Sequence, residues 1–228
     1  MTEENKDATQ AGIEAFEETL TKSEKYVEEN QNGLLMIVAA IIVVVGGYFA
    51  YQNLYIAPKE AEATVAIYKA EQLFEKDSYD EALNGDEING VTGFLDIINE
   101  YSGTQTANLA HYYAGICFLR TGDYESAVTY LDDFKSDDKV VSSVAQGAIG
   151  DAFLEQGDQT NAMDYYLKAA NTNPNDFITP VYLNKAALLA STMGDNAKAL
   201  GYFETIKEDY PNTREAQAAE KNIARLKK

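Results

Sequence analysis

Few side chains in this chain could do chemistry, and they do not converge. His111 is the sole histidine and Cys117 the sole cysteine, both within one apolar stretch that also holds Tyr112, Tyr113 and Phe118. A catalytic nucleophile needs a base within hydrogen-bond reach and a third group to orient it, and no such trio is spaced for the task. The neighbours of Cys117, Ile116 and Phe118, mark it as core, and one cysteine excludes an internal disulfide framework and a four-cysteine metal site. Asp and Glu are abundant, yet their spread follows the polar faces of helices. The acidic stretch 83–90, LNGDEING, lacks the alternating ligands and distal Glu of a calcium loop, and reads as a surface turn rich in Asn, Gly and Asp. There is no glycine-rich phosphate cradle and no metal-ligand spacing. The expectation is a protein without catalysis, cofactor, metal or small-molecule substrate.

What is regularly spaced is a turn. Gly-Asp recurs at Gly122-Asp123, Gly157-Asp158 and Gly194-Asp195, first 35 residues apart (122 to 157) and then 37 (157 to 194). Each pair has a small residue seven positions before the Gly, an aromatic or Ala four before, an Ala five after and an aromatic or Leu nine after. These are Gly115, Phe118, Ala127 and Leu131, then Gly150, Phe153, Ala162 and Tyr166, then Ala187, Ala190, Ala199 and Phe203. A period in the mid-thirties marks stacked helical hairpins, each burying its apolar face against its neighbours.

The frame extends upstream. After Pro58, residues Ala61, Val65, Tyr68, Leu73 and Phe74 give an amphipathic helix, and Tyr79 and Ala82 take the places of Tyr124 and Ala127. The second helix of this degenerate unit is broken by the 83–90 insert and resumes at Phe94-Leu95-Asp96-Ile97, which parallels Phe203-Glu204-Thr205-Ile206.

The pattern resembles the tetratricopeptide repeat, with Gly150, Phe153, Gly157-Asp158, Ala162 and Pro174 on the family's characteristic positions and Pro211 closing the next unit. Departures are Gln159 and Asn196 at the turn Tyr and Lys139 in place of a Pro. The resemblance implies an all-α solenoid of about four helix pairs, near 61–101, 108–141, 143–176 and 180–212, with a capping helix at 213–228. It also implies a protein-binding face. At the family's inward positions stand Tyr112, Ile116 and Leu119, then Gly147, Asp151 and Leu154, then Asn184 and Leu188. The Lys and Asn pairs that would clamp a peptide carboxylate are absent there, so an apolar groove with a few polar anchors is expected. The same side chains could instead pack against neighbouring helices or lie under the terminal helix, and both readings stand.

Ahead of the repeats, residues 34–51, LLMIVAAIIVVVGGYFAY, hold no charge and no amide. At about 1.5 Å per residue they match a bilayer's hydrocarbon core, so 33–55 is expected to be a transmembrane signal anchor. Tyr48, Phe49, Tyr51 and Tyr55 suit the headgroup layer at its far end, while Asn30, Gln31 and Asn32 mark the near end. Residues 1–32 carry nine acidic residues and three lysines, with Ile13, Phe16, Leu20 and Val27 at spacings for a short amphipathic helix. Lys22 and Lys25 before the span against Lys59 after it favour a cytoplasmic N-terminus. A net charge of −19 argues against a nucleic-acid partner, because phosphates would be repelled.

Tail, single anchor and repeat domain together resemble the YfgM-like family of single-span ancillary subunits of the bacterial Sec translocon. That resemblance implies a bacterial inner-membrane protein with a periplasmic repeat domain, and the translocon and periplasmic chaperones as partners. A scaffold of outer-membrane assembly or cell-wall biogenesis is the alternative.

Overall fold

The computed structural model describes residues 3–227, with side chains from residue 25 onward. The chain divides into two compact bodies, Met1–Tyr55 and Ile56–Lys228. Among the described residues it is helical throughout, apart from one isolated β-bridge between Asp86 and Val91.

The N-terminal body holds one long helix, α1 (Glu3–Tyr51), long and apolar enough to cross a membrane, with its apolar window wholly unburied. Asn30 does not interrupt it, because its amide donates to the Tyr26 carbonyl one turn back at 2.9 Å. The tail's expected stripe at Ile13, Phe16 and Leu20 lies outside the described side chains; Val27 is exposed. A π-helical turn, Gln52–Ile56, precedes Pro58, whose missing N–H and bulky ring spoil the ordinary ladder there.

The body Ile56–Lys228 is a stack of helical hairpins, each hairpin one unit. Its helices are α2 (Ala57–Phe74), α3 (Tyr79–Asn84), α4 (Phe94–Glu100), α5 (Gln105–Thr121), α6 (Tyr124–Asp133), α7 (Lys139–Glu155), α8 (Gln159–Thr172), α9 (Thr179–Thr192), α10 (Asn196–Asp209) and α11 (Arg214–Leu226). The pairs α5–α6, α7–α8 and α9–α10 are the three clear units. Helices α2, α3 and α4 form the first unit with its second helix broken, and α11 packs on α10 through Ala216 and Ala219.

The Gly-Asp turns follow from two backbone demands. Gly122, Gly157 and Gly194 sit at φ +89°, +81° and +82°, a region open to glycine, and the next N–H reaches back five residues to close the preceding helix. The following Asp then caps the next helix: Asp123, Asp158 and Asp195 accept from the N–H groups of Ser126, Asn161 and Lys198 at 3.2, 3.1 and 3.1 Å. In the first unit Asp77 holds the left-handed position at φ 59° and Ser78 the cap.

Small residues in the first helices let the second helices close in. A Cβ at Gly115 would stand 2.5 Å from Cγ of Leu131, and one at Gly150 would stand 2.8 Å from the Tyr166 ring. Leu131, Tyr166 and Phe203 are accordingly among the most buried side chains, and truncating such a residue costs about 2–5 kcal/mol.

The first unit corrects one expectation. Ala63, Ile67 and Ala70 form the buried stripe of α2, whereas Val65 and Tyr68 point outward, 75% and 61% exposed. The buried stripe meets Leu83, Phe94 and Cys117, and Phe94 stacks on Tyr113 at 5.1 Å. Lys59 and Glu60 fasten the start of α2 to the turn between α4 and α5. The Lys59 ammonium donates to the Glu100 carbonyl at 3.1 Å, and the Glu60 carboxylate accepts from the N–H groups of Gln105 and Thr106 at 2.6 and 3.1 Å.

Candidate functional site

The residues expected on the inner face separate into a groove and an internal lock. On α5, Tyr112, Ile116 and Leu119 are half-buried and pack against Leu131, Ala148 and Ile149. Tyr112 also lies 5.4 Å from the ring of Phe134, which ends α6, so much of its surface is taken up by packing within the stack. Leu119 belongs to that cluster and to a groove of about 380 Å³ between α5 and α7 as well, facing Asp151 and Leu154 together with Arg120, Tyr124 and Glu155. Leu154 is 38% exposed there, high for a leucine on the inner side of a stacked helix. Three of the expected residues, Leu119, Asp151 and Leu154, are therefore brought together. Arg120, Tyr124 and Glu155 join them without having been singled out from the sequence, although Arg120 and Glu155 follow directly on the two leucines.

Asp151 is held from below. Its Oδ1 accepts the Tyr166 hydroxyl at 2.7 Å, and both its oxygens accept from Lys185 Nζ at 2.6 and 2.7 Å. Lys185 also stands 5.4 and 5.7 Å from the ring centroids of Tyr166 and Tyr182. One carboxylate thus ties α7 to α8 and to α9, and its charge is neutralised within the chain. Burial raises the phenol pKa of Tyr166 above its ordinary range, with the bond to Asp151 adding to the effect. Burial likewise pushes Tyr182 to about 12, aided by the negative field of Asp151.

At Gly147 the inner face is closed. A Cβ there would stand 2.0 Å from Cε1 of Tyr182 and 2.3 Å from its hydroxyl oxygen, so the hydroxyl end of this side chain from α9 fills the space a partner would need. The structure thereby corrects the reading of Gly147 as a groove position. Asn184 is half-buried, and its Oδ1 is buried without a hydrogen-bond partner. Leu188, on the same helix, is 40% exposed. It is not among the residues that line the Leu119–Leu154 groove.

The side chains with chemical potential lie elsewhere. His111 packs against Tyr130, 5.8 Å between ring centroids, and its Nδ1 is buried without a partner. Burial lowers its pKa below the ordinary histidine value, opposed in part by Asp133. Cys117 is fully buried, and burial with the nearby Asp80 charge pushes its thiol to about 12, leaving it protonated and inert. Among the described residues no three His, Cys, Asp or Glu side chains gather closely enough to hold a metal ion. The expected insert at 83–90 begins later than the sequence suggested, since Leu83 and Asn84 still belong to α3 and Leu83 is buried. In the loop that follows, the Asp86 carboxylate accepts from the N–H groups of Ile88 and Asn89 at 3.0 and 3.1 Å, a use that leaves it turning the chain.

This geometry agrees with the comparisons. Family models described as tetratricopeptide repeat match residues 109–138, 144–176 and 181–213. A curated relative, tetratricopeptide repeat protein 37 of Xenopus laevis, is 25% identical over 166 residues, which is 70% of this chain. The chain spans about 10% of that relative's length. Repeats of this type present surfaces for other proteins, and their match here implies a protein–protein interaction scaffold.

Proposed function

We propose that this protein is a membrane-anchored scaffold, held by the apolar part of α1, that captures a segment of a partner protein in the groove between α5 and α7. The observation that carries the reading is the pairing of Leu119 and Leu154 across one open groove. Both leucines offer apolar contact, while Arg120 and Glu155 stand beside them as charged rims that fix the direction of an incoming chain. Asp151, already satisfied by Lys185 and Tyr166, acts as floor rather than as an anchor for the partner.

The anchor reading rests on residues 34–51, free of charge and amide, and on the lysines that favour an N-terminus in the cytoplasm. With that orientation the repeat domain faces the periplasm of a bacterial inner membrane. An ancillary place at the Sec translocon, linking it to periplasmic chaperones, then fits a scaffold tethered close to the bilayer. Gentle solubilisation of the full chain with affinity capture and mass spectrometry tests this. Translocon subunits that disappear from the Leu119→Asp/Leu154→Asp capture support it. Barrel-assembly or peptidoglycan factors in their place would move the scaffold to envelope biogenesis, and a reporter fused after Lys228 that is active only in the cytoplasm would overturn the orientation.

A further inference from the structure

The groove between α5 and α7 carries two charges of opposite sign that do not neutralise each other. Arg120 and Glu155 stand two residues before the turn glycines Gly122 and Gly157, so they hold the same place on successive units and line the groove from its two sides. Both are exposed, and among the described residues neither forms an ion pair. Lys185, the cation beneath the groove, is already committed to both oxygens of Asp151. The settings of the two charges differ. Arg120 lies in the last turn of α5, where the helix's free carbonyls favour a cation. Glu155 is the last residue of α7, where the same carbonyls repel an anion, and that turn holds no basic residue. A cation from outside would satisfy this place twice, at the carboxylate and at the helix end.

We propose that the segment captured in this groove is bipolar, with apolar side chains on Leu119 and Leu154, an acidic residue on Arg120 and a basic residue on Glu155. The inference rests on the groove reading above and adds the sequence class of the partner. Desolvation selects that class. A segment lying on the two leucines strips water from both rims, and a charge that loses water without gaining a counter-charge is costly. A purely apolar segment leaves both charges in that state, a doubly basic one leaves Arg120, and a doubly acidic one leaves Glu155. The net charge of −19 draws basic chains from a distance, but salt screens that attraction over about 8 Å at physiological strength, and it singles out no residue. Packed helices lie about 8–10 Å apart, the length of about three residues of extended chain at about 3.3 Å each. The acidic and basic residues are therefore about three positions apart, in either order, with the apolar residues between them.

The test pans random dodecapeptides displayed on phage against the full chain in lipid nanodiscs at physiological salt, with the Leu119→Asp/Leu154→Asp chain as counter-selection. Enriched peptides are expected to carry one acidic and one basic residue around apolar ones. In fluorescence anisotropy, Arg120→Glu should weaken the enriched peptide by about tenfold and shift the preference to its doubly basic variant. Glu155→Lys should weaken it by a similar factor and shift the preference to the doubly acidic variant. Helical circular dichroism should be unchanged in both chains, since both residues are exposed. An exchange of preference is a result that a merely structural role for either residue would not produce. Enriched peptides that are indifferent to both charge reversals, or whose preference does not exchange, would overturn this inference and leave the groove reading in place. No enrichment over the counter-selected chain would overturn both.

Discussion

Lys185 on α9 closes on both carboxylate oxygens of Asp151 on α7, at 2.6 and 2.7 Å, and so locks two successive repeats through one charge pair. The pair is about one-third exposed, which places it between a surface ion pair and a buried one. Asp151→Ala leaves Lys185 and the Tyr166 hydroxyl without their acceptor and should cost about 2 kcal/mol in urea unfolding. The double variant Asp151→Ala/Lys185→Met should cost less than the sum of the singles, because the second change removes a charge that the first has orphaned.

Gly147 under the Tyr182 ring makes a second coupling measurable. Gly147→Ala gains helix propensity of up to about 1 kcal/mol but drives a Cβ into the ring, and the net expectation is destabilisation by about 1–3 kcal/mol. In a Tyr182→Leu background the same glycine change should be close to neutral in the unfolding midpoint.

Burial without a partner at Asn184 Oδ1 implies stability given up at that site. Asn184→Leu should stabilise by about 1 kcal/mol, raising Tm by about 2–4 °C in calorimetry.

His111 makes the fold sensitive to mild acid. Its pKa is lowered in the folded state, chiefly by burial, so the unfolded chain takes up a proton first as pH falls past the ordinary histidine value. The stability contribution is fully present above that value and declines below it, down to the folded pKa. The urea midpoint should drop as pH falls below the ordinary histidine value, and His111→Leu should flatten the drop. The caps Asp158 and Asp195 do not confuse the reading. Backbone N–H bonds lower their pKa values, so their contribution is lost only at more acidic pH.

The hairpin stack was legible in the sequence because each turn makes a local demand: a left-handed glycine, then an Asp cap, recurring with the period of a helix pair. The Asp151–Lys185 lock was not, since its partners lie 34 residues apart and in different units, although that distance is close to one repeat. The face of α2 was misread because Ala63 and Ala70 carry less apolar weight than Val65 and Tyr68, yet it is the alanines that let α2 approach α3 and α4. Of the expected groove, Leu119, Asp151 and Leu154 come together, while Gly147 vanishes under a tyrosine that no local pattern would place there.

The most direct test of the groove is a photo-activatable residue in place of Leu154 in the full chain in native membranes, with exposed Thr129 on α6 as the control position. A discrete protein adduct from position 154, absent from position 129 and lost when Leu119→Asp is added with helical circular dichroism intact, is the predicted result. The same adducts from both positions, or unfolding of the Leu119→Asp chain, would show that these leucines are general surface or core and would contradict the account.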